Sequence, residues 1–222
     1  MNNLPMDIRL FPSLTGKAAC RVNLDQEAQK HFTGNLGKSG PMLDAVQAEA
    51  FITGLQQSRG CAWSYGGYLE NRAFMFRGSY LDHTGTYLHL GTDFNVPAET
   101  PVVLPWHAEI LVVDDDEDQN GGWGPRVIAR PDTSERDLVV IFAHLAEVQV
   151  APGRHYRSGT VLAQVGSPPF NGNWWPHLHV QLVLKNVFDV FVKTGLDKLD
   201  GYGHPTDIER LQVEYPDPLS LL

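Results

Sequence analysis

Apolar and polar positions change their spacing twice along this chain. Between Pro41 and Ser58, apolar residues recur at Leu43, Val46, Ala50 and Leu55, with Ala48 and Ile52 beside them. That is the spacing of one helix face, and Pro41 suits a first helical turn. The preceding 40 residues show little periodicity and carry Gly34, Gly37 and Gly40, so they are expected to be loosely structured. From Ala62 onward the pattern becomes short β-rich stretches separated by Gly, Pro, Asn and Asp. They are Ala73–Arg77, Thr86–Val96, Pro101–Leu104, Ala108–Val113, Arg126–Ala129, Leu138–His144, Thr160–Val165 and Leu178–Leu184. Beyond Leu184 the spacing turns helical again through Val187, Phe188, Val190, Phe191 and Val192, and Ile208–Leu211 adds one more turn.

Short strands with few helices between them predict a mainly β fold, an antiparallel β-sandwich or barrel. A helical N-terminal segment and short C-terminal helices flank it. The divisions are an N-terminal extension with one helix (1–61), a β domain (62–184) and a C-terminal tail packing on it (185–222).

Composition narrows the function classes. The apolar fraction of 42% is enough for a buried core. The net charge is −9, and the run Asp114–Asp118 supplies five of the acids. Clusters of Lys and Arg are absent, which argues against nucleic acid or an anionic surface as partner. No apolar run approaches the roughly 18 residues of a membrane span. The first residues lack a basic stretch followed by an apolar one, so a cytoplasmic location is expected. Cys20 and Cys61 form no CxxC pair and are expected to be reduced thiols, with a single bridge as the alternative for an exported protein.

Three histidine motifs carry the chemistry. In His89-Leu90-Gly91-Thr92-Asp93, a strand projects residues 89, 91 and 93 from one face, so an imidazole and a carboxylate converge with Gly91 leaving space between them. In His177-Leu178-His179-Val180-Gln181-Leu182, both histidines share a face with Gln181, while Leu178, Val180 and Leu182 point to the core. His144 ends the apolar run Leu138–Phe142 and Ala143. A catalytic zinc needs three protein ligands and one open position. His89, Asp93 and one histidine of the 177/179 pair supply three; the other and His144 remain for acid, base or electrophilic roles. There is no HExxH, so the base is not a glutamate of the thermolysin kind.

These motifs, in this order, resemble the lysostaphin/LytM family of zinc metallopeptidases, whose signature is HxGxD, then a histidine followed by Leu, then HxH. The likeness covers about residues 86–184, and extends through Asp93–Val102 and Val161–Gly166. Within the family, the loop 167–176 and the tail Tyr215-Pro216-Asp217-Pro218 look like the variant domain found between a kinase-like domain and a class III aminotransferase. The resemblance implies an antiparallel duplicated hybrid motif with a zinc-bound water in a groove. It implies zinc ligands at His89, Asp93 and His179, and catalytic histidines at His144 and His177. The expected activity is hydrolysis of a peptide bond by a metalloendopeptidase; the alternatives are an amidase on a small metabolite or peptide, and a non-catalytic metal-binding module.

Three further features are weighed. Counting Asp116 as position 1 of a calcium loop puts Val127 at position 12, so the acidic run is read as a solvated hairpin. Trp123, Trp174 and Trp175 are candidates for the walls of a substrate groove, and His83 for a group behind the metal ligands.

Overall fold

The computed structural model describes residues 9–32, 39–132 and 137–222. Gly34 and Gly37 lie outside the described residues. In chain order the elements begin with β1 (Ala19–Val22), α1 (Leu24–His31), α2 (Ala45–Ser58), β2 (Trp63–Gly66), α3 (Leu81–Thr84), β3 (Leu88–His89) and β4 (Thr92–Asn95). They continue as β5 (Pro101–Val103), β6 (Ala108–Asp116), β7 (Gly124–Pro131), β8 (Leu138–Ala143), β9 (Leu145–Ala146), β10 (His155–Tyr156) and β11 (Val161–Val165). The last are β12 (Leu178–Leu184), α4 (Lys185–Thr194), β13 (Tyr202–Gly203) and α5 (Ile208–Glu214).

Eight strands form one sheet in the order β1-β2-β4-β12-β8-β7-β6-β10. Its two outer strands do not pair with each other, so the sheet is open and not a barrel. It is mixed: β1 runs parallel to β2, and the other neighbours are antiparallel. A three-stranded sheet β5-β11-β9 and the small pair β13-β3 complete the β structure.

Period-two alternation sorts the side chains of the central strands onto two cores. Along β8, Leu138, Val140 and Phe142 pack with Phe94, Val180 and Leu182 against Val102, Leu162 and Val165 of the smaller sheet. Val139, Ile141 and Ala143 face the other way, onto Phe188 of α4 and Leu211 of α5. Both faces of β8 are therefore covered, which accounts for its unbroken apolar run.

Three expectations change. The N-terminal 40 residues are not uniformly loose: β1 joins the main sheet, and α1 follows with the Asn23 side chain accepting the Gln26 N–H at 2.8 Å. α2 starts at Ala45, where the Asp44 side chain caps it by accepting from Gln47 N–H, so Pro41 precedes the helix. Ala73–Arg77 winds through turns instead of forming a strand. Its backbone N–H groups at Phe74 and Met75 are taken by Asp25 Oδ1 at 3.0 and 2.9 Å, and Met75 and Phe76 bury against α1 and α2. A carboxylate from a distant helix thus supplies the acceptor that a sheet would have given.

Cys20 and Cys61 are joined as a disulfide, which corrects the reduced-thiol expectation. Among the described residues no helix is long and apolar enough to cross a membrane.

Candidate metal centre and active site

The register of β12 assembles the site. β12 lies between β4 and β8, and His179 pairs directly across from Asp93 on one side and Ala143 on the other. His144 follows Ala143, so it arrives at the same end of the sheet. His89 comes from a different sheet: β3 pairs with β13, Tyr202 opposite His89. The stretch 86–96 is thus broken at Leu90 and Gly91, and His89 and Asp93 meet across the break, not along one flat face. Gly91 has another purpose than the one its spacing suggested. A Cβ there would lie 2.4 Å from Cε1 of His179, so its absence makes room for that ring and not for an ion.

His89, Asp93 and His179 converge, all buried. His89 Nε2 lies 3.1 Å from His179 Nδ1 and 3.4 Å from Asp93 Oδ1, and His179 Nδ1 lies 3.0 Å from Asp93 Oδ1. A tetrahedral zinc with bonds of about 2.0–2.1 Å would space its ligand atoms about 3.3 Å apart. The triangle has that size.

Hydrogen bonds behind each ring fix its tautomer. Nδ1–H of His89 donates to the Gly67 carbonyl at 3.0 Å, leaving a lone pair on Nε2. Nε2–H of His179 donates to Oε1 of Gln181 at 3.1 Å, and Gln181 in turn donates to the Asp200 carbonyl, leaving a lone pair on Nδ1. His144 and His177 donate from Nδ1 to the carbonyls of Asn171 and Trp175 at 2.9 and 2.8 Å, so each presents a bare Nε2. Two imidazole lone pairs and a carboxylate oxygen within 3.4 Å repel one another unless a cation lies between them. The donor set therefore fits a divalent metal, and nitrogen-rich tetrahedral ligation fits zinc.

Electrostatics agree. Burial, with Arg72 adding to it, lowers His89 to about 3. Burial lowers His177 to about 4 and holds His144 well below its usual range. These rings are neutral at pH 7, as ligation and proton uptake both require. Burial alone would raise Asp93, but His89 and Arg72 outweigh it and hold the carboxyl well down.

Sequence reasoning missed Arg72. It is buried, and its guanidinium lies 2.7 Å from Asp93 Oδ2, 3.3 Å from the Tyr202 hydroxyl and 3.7 Å from Glu70. Glu70 Oε1 in turn accepts the N–H of Asp25 at 2.8 Å. Gly67, at φ +100°, lets the chain pass where a Cβ would sit 2.3 Å from Arg72 and 2.9 Å from the His89 ring. No local spacing marks these residues, since their partners stand far along the chain.

The remaining candidates divide. His177 stacks on buried Trp175 at 4.8 Å, and its Nε2 is 3.6 Å from Asp93 Oδ1. The His144 and His177 rings are 4.6 Å apart. His144 holds a left-handed φ of 63° where β8 ends, a strained geometry fixed by its backbone bonds to Trp123 and Gly166. Trp123 and Trp174 wall the cleft, and Trp174 ties the two flanking loops together by donating to the Gly122 carbonyl at 3.0 Å. His83 is exposed on α3 and is not among the residues lining the cleft. The acidic run is more than a solvated hairpin: Asp114 pairs with two of the three guanidinium nitrogens of Arg126, and Asp116 and Asp118 reach the cleft.

Residues 87–189 match the family model described as Peptidase family M23. That segment, a little under half of the chain, is similar to the M23 peptidase family. Three solved structures are similar to a comparable share of the chain. LytU is 23% identical over 43% of this chain and 61% of its own, with a TM-score of 0.37. A zinc containing peptidase from Vibrio cholerae is 24% identical over 45% of this chain and 28% of its own, with a TM-score of 0.38. The catalytic domain of lysostaphin from Staphylococcus simulans is 24% identical over 44% of this chain and 68% of its own, with a TM-score of 0.36. The first two are thus matched over less than two thirds of their own lengths. No curated protein gives a significant match. Arg72, Glu70 and Tyr202 lie outside the matched M23 segment.

Proposed function

We propose that this protein is a zinc-dependent peptidase that hydrolyses an amide bond in a short peptide or small amide. The observation that carries the reading is the converging donor set, two imidazole lone pairs and one carboxylate oxygen spaced for tetrahedral ligation. His89, Asp93 and His179 would hold the ion. Zinc bound there would supply Lewis-acid chemistry, acidifying a water and polarising the scissile carbonyl.

The chain's own residues would supply the proton handling. In their present tautomers both His144 and His177 offer Nε2 as an acceptor, so either can take a proton from the attacking water. Each becomes a donor only after that step. His177, anchored by the Trp175 carbonyl beside Asp93, is the better-placed base. His144 then assists the developing oxyanion or the leaving amine once it carries a proton. The cavity holds about 160 Å³, below the ~300 Å³ at which drug-sized ligand pockets begin, which favours a short substrate over a polymer.

Chelator competition and a peptide-cleavage panel together test the reading. One tight zinc per chain is expected, lost in His89→Ala, with cleavage abolished in His177→Ala while zinc stays bound. A zinc-loaded protein inert on a broad panel of peptides and small amides would sink the catalytic reading and leave a metal-binding module.

A further inference from the structure

The catalytic reading leaves part of the cleft wall without a role. Asp116, Asp118, Asp197 and Asp200 line it together with the indoles of Trp123 and Trp174. Among the lining residues Arg72 is the sole Lys or Arg, and it is buried with its charge committed to Asp93. The mouth therefore presents carboxylates and aromatic faces; Arg126, 5.3 Å over one face of the Trp123 ring, is committed to Asp114. His144 and His177, both more than nine-tenths buried, line the same cavity and spend only Nδ1 on a backbone carbonyl, so their Nε2 atoms are left for a ligand.

Asp116, Trp123 and the backbone of Asp200 are tied to the metal-facing side chains. Asp116 Oδ2 accepts the Trp123 backbone N–H at 3.0 Å. The Trp123 indole donates to the Leu199 carbonyl at 3.1 Å, next to Asp200, and its ring meets that of His179 edge-on at 5.4 Å. The Asp200 carbonyl holds Gln181, which orients His179. Asp200 thus belongs to a segment fastened to the metal centre, with its carboxylate exposed at the rim.

We propose that this cleft selects peptides or small amides that carry an ammonium group close to the scissile carbonyl, received between the Trp123 and Trp174 indoles and the carboxylates of Asp118 and Asp200. The proposal rests on the peptidase reading for the identity of the bond, but the cation site stands on its own geometry. Aromatic faces attract a cation through the ring quadrupole, and carboxylates at the rim raise its local concentration while repelling anionic substrates.

The test separates the two readings. Butyltrimethylammonium, which has no lone pair to give a metal, is titrated into the full zinc-loaded chain against its uncharged carbon isostere, with tryptophan fluorescence as readout. The expected preference for the cation is about tenfold or more at low ionic strength, shrinking as salt screens the rim. It should fall in Asp118→Asn and Asp200→Asn, each of which keeps side-chain shape. Equal binding of the two probes, or a preference unchanged in both variants, overturns the proposal. In parallel, peptides with free amines are compared with their N-acetylated partners. Equal cleavage of both leaves the peptidase and removes the ammonium site; selective binding of the cation without any cleavage keeps the site and removes the peptidase.

Discussion

Arg72 sets the charge of the centre. Its guanidinium neutralises Asp93 before any metal arrives, so the metal-free site keeps a buried carboxylate without an unpaired charge. Replacing it strands that carboxylate. Arg72→Met is expected to cost the metal-free protein about 3–5 kcal/mol, as for other broken buried pairs. The loss should be smaller with zinc bound, because the ion then compensates Asp93. Urea denaturation with and without zinc reads both values, and an equal loss in the two states would contradict this account. Gly91→Ala acts on the same centre by sterics. Its Cβ would strike the His179 ring, so zinc affinity should fall by tenfold or more, about 1.4 kcal/mol, with the far-UV circular dichroism unchanged. Acid should loosen the centre as well. His89 and His177 titrate near 3 and 4 when folded and near 6.5 when unfolded, so below about 6.5 the unfolded chain binds protons that the native one refuses. Their contribution is complete above that pH and is lost as the pH falls toward the folded values. Metal-free protein should lose roughly 1 kcal/mol per pH unit for each ring between pH 6 and 5, measured by denaturation at stepped pH. The five metal-facing and cleft-facing residues were legible in the sequence because HxGxD and HxH are local patterns. Arg72, Glu70 and Tyr202 were not, because what defines them is contact over long separations, such as the 130 residues between Arg72 and Tyr202.

At the scale of elements, β12 was readable in detail. Its alternation assigned Leu178, Val180 and Leu182 to the core and His179 to the opposite face, and the structure places them so. Thr86–Val96 read as one strand, yet it divides between two sheets, since Leu90 N–H turns away to the Gly201 carbonyl at 2.9 Å. Periodicity within eleven residues cannot see a partner brought in from residue 201. The segment following β11 is another such case. Asn171, fully buried, donates from Nδ2 to the carbonyls of Gly166 and Trp174 at 3.4 and 3.0 Å, while its own carbonyl holds His144. Asn171→Ala should leave those carbonyls unpaired and let His144 drift. Peptide hydrolysis is expected to fall by about 10²-fold with zinc affinity retained, the scale of a lost acid–base contribution. Zinc lost in step with activity would show that Asn171 supports the whole centre instead.

Across the whole molecule, the disulfide fastens β1 to Cys61, two residues before β2, over a separation of 41 residues. Closing a loop of that length is worth about 4 kcal/mol by the chain-entropy estimate. Cys61→Ser, or reduction by dithiothreitol, should lower unfolding stability by an amount of that order; an unchanged denaturation midpoint would mean that the bridge constrains little. Bridges persist in oxidising compartments, which pulls against the cytoplasmic expectation drawn from the start of the chain.

The line Asp25–Glu70–Arg72–Asp93, one hydrogen bond followed by two ion pairs, has one more consequence, for anyone who would use this domain as a part. It starts on the first helix and ends on a metal ligand, while Tyr202 closes on Arg72 from the other end of the chain. A fragment cut at the borders of the family match would carry every histidine of the centre but not Arg72, Glu70 and Tyr202, which balance the charge of Asp93. The transplantable unit is therefore the ring of sequence from the first helix to Tyr202, and a chimera that swaps in the matched segment alone would inherit an orphaned carboxylate.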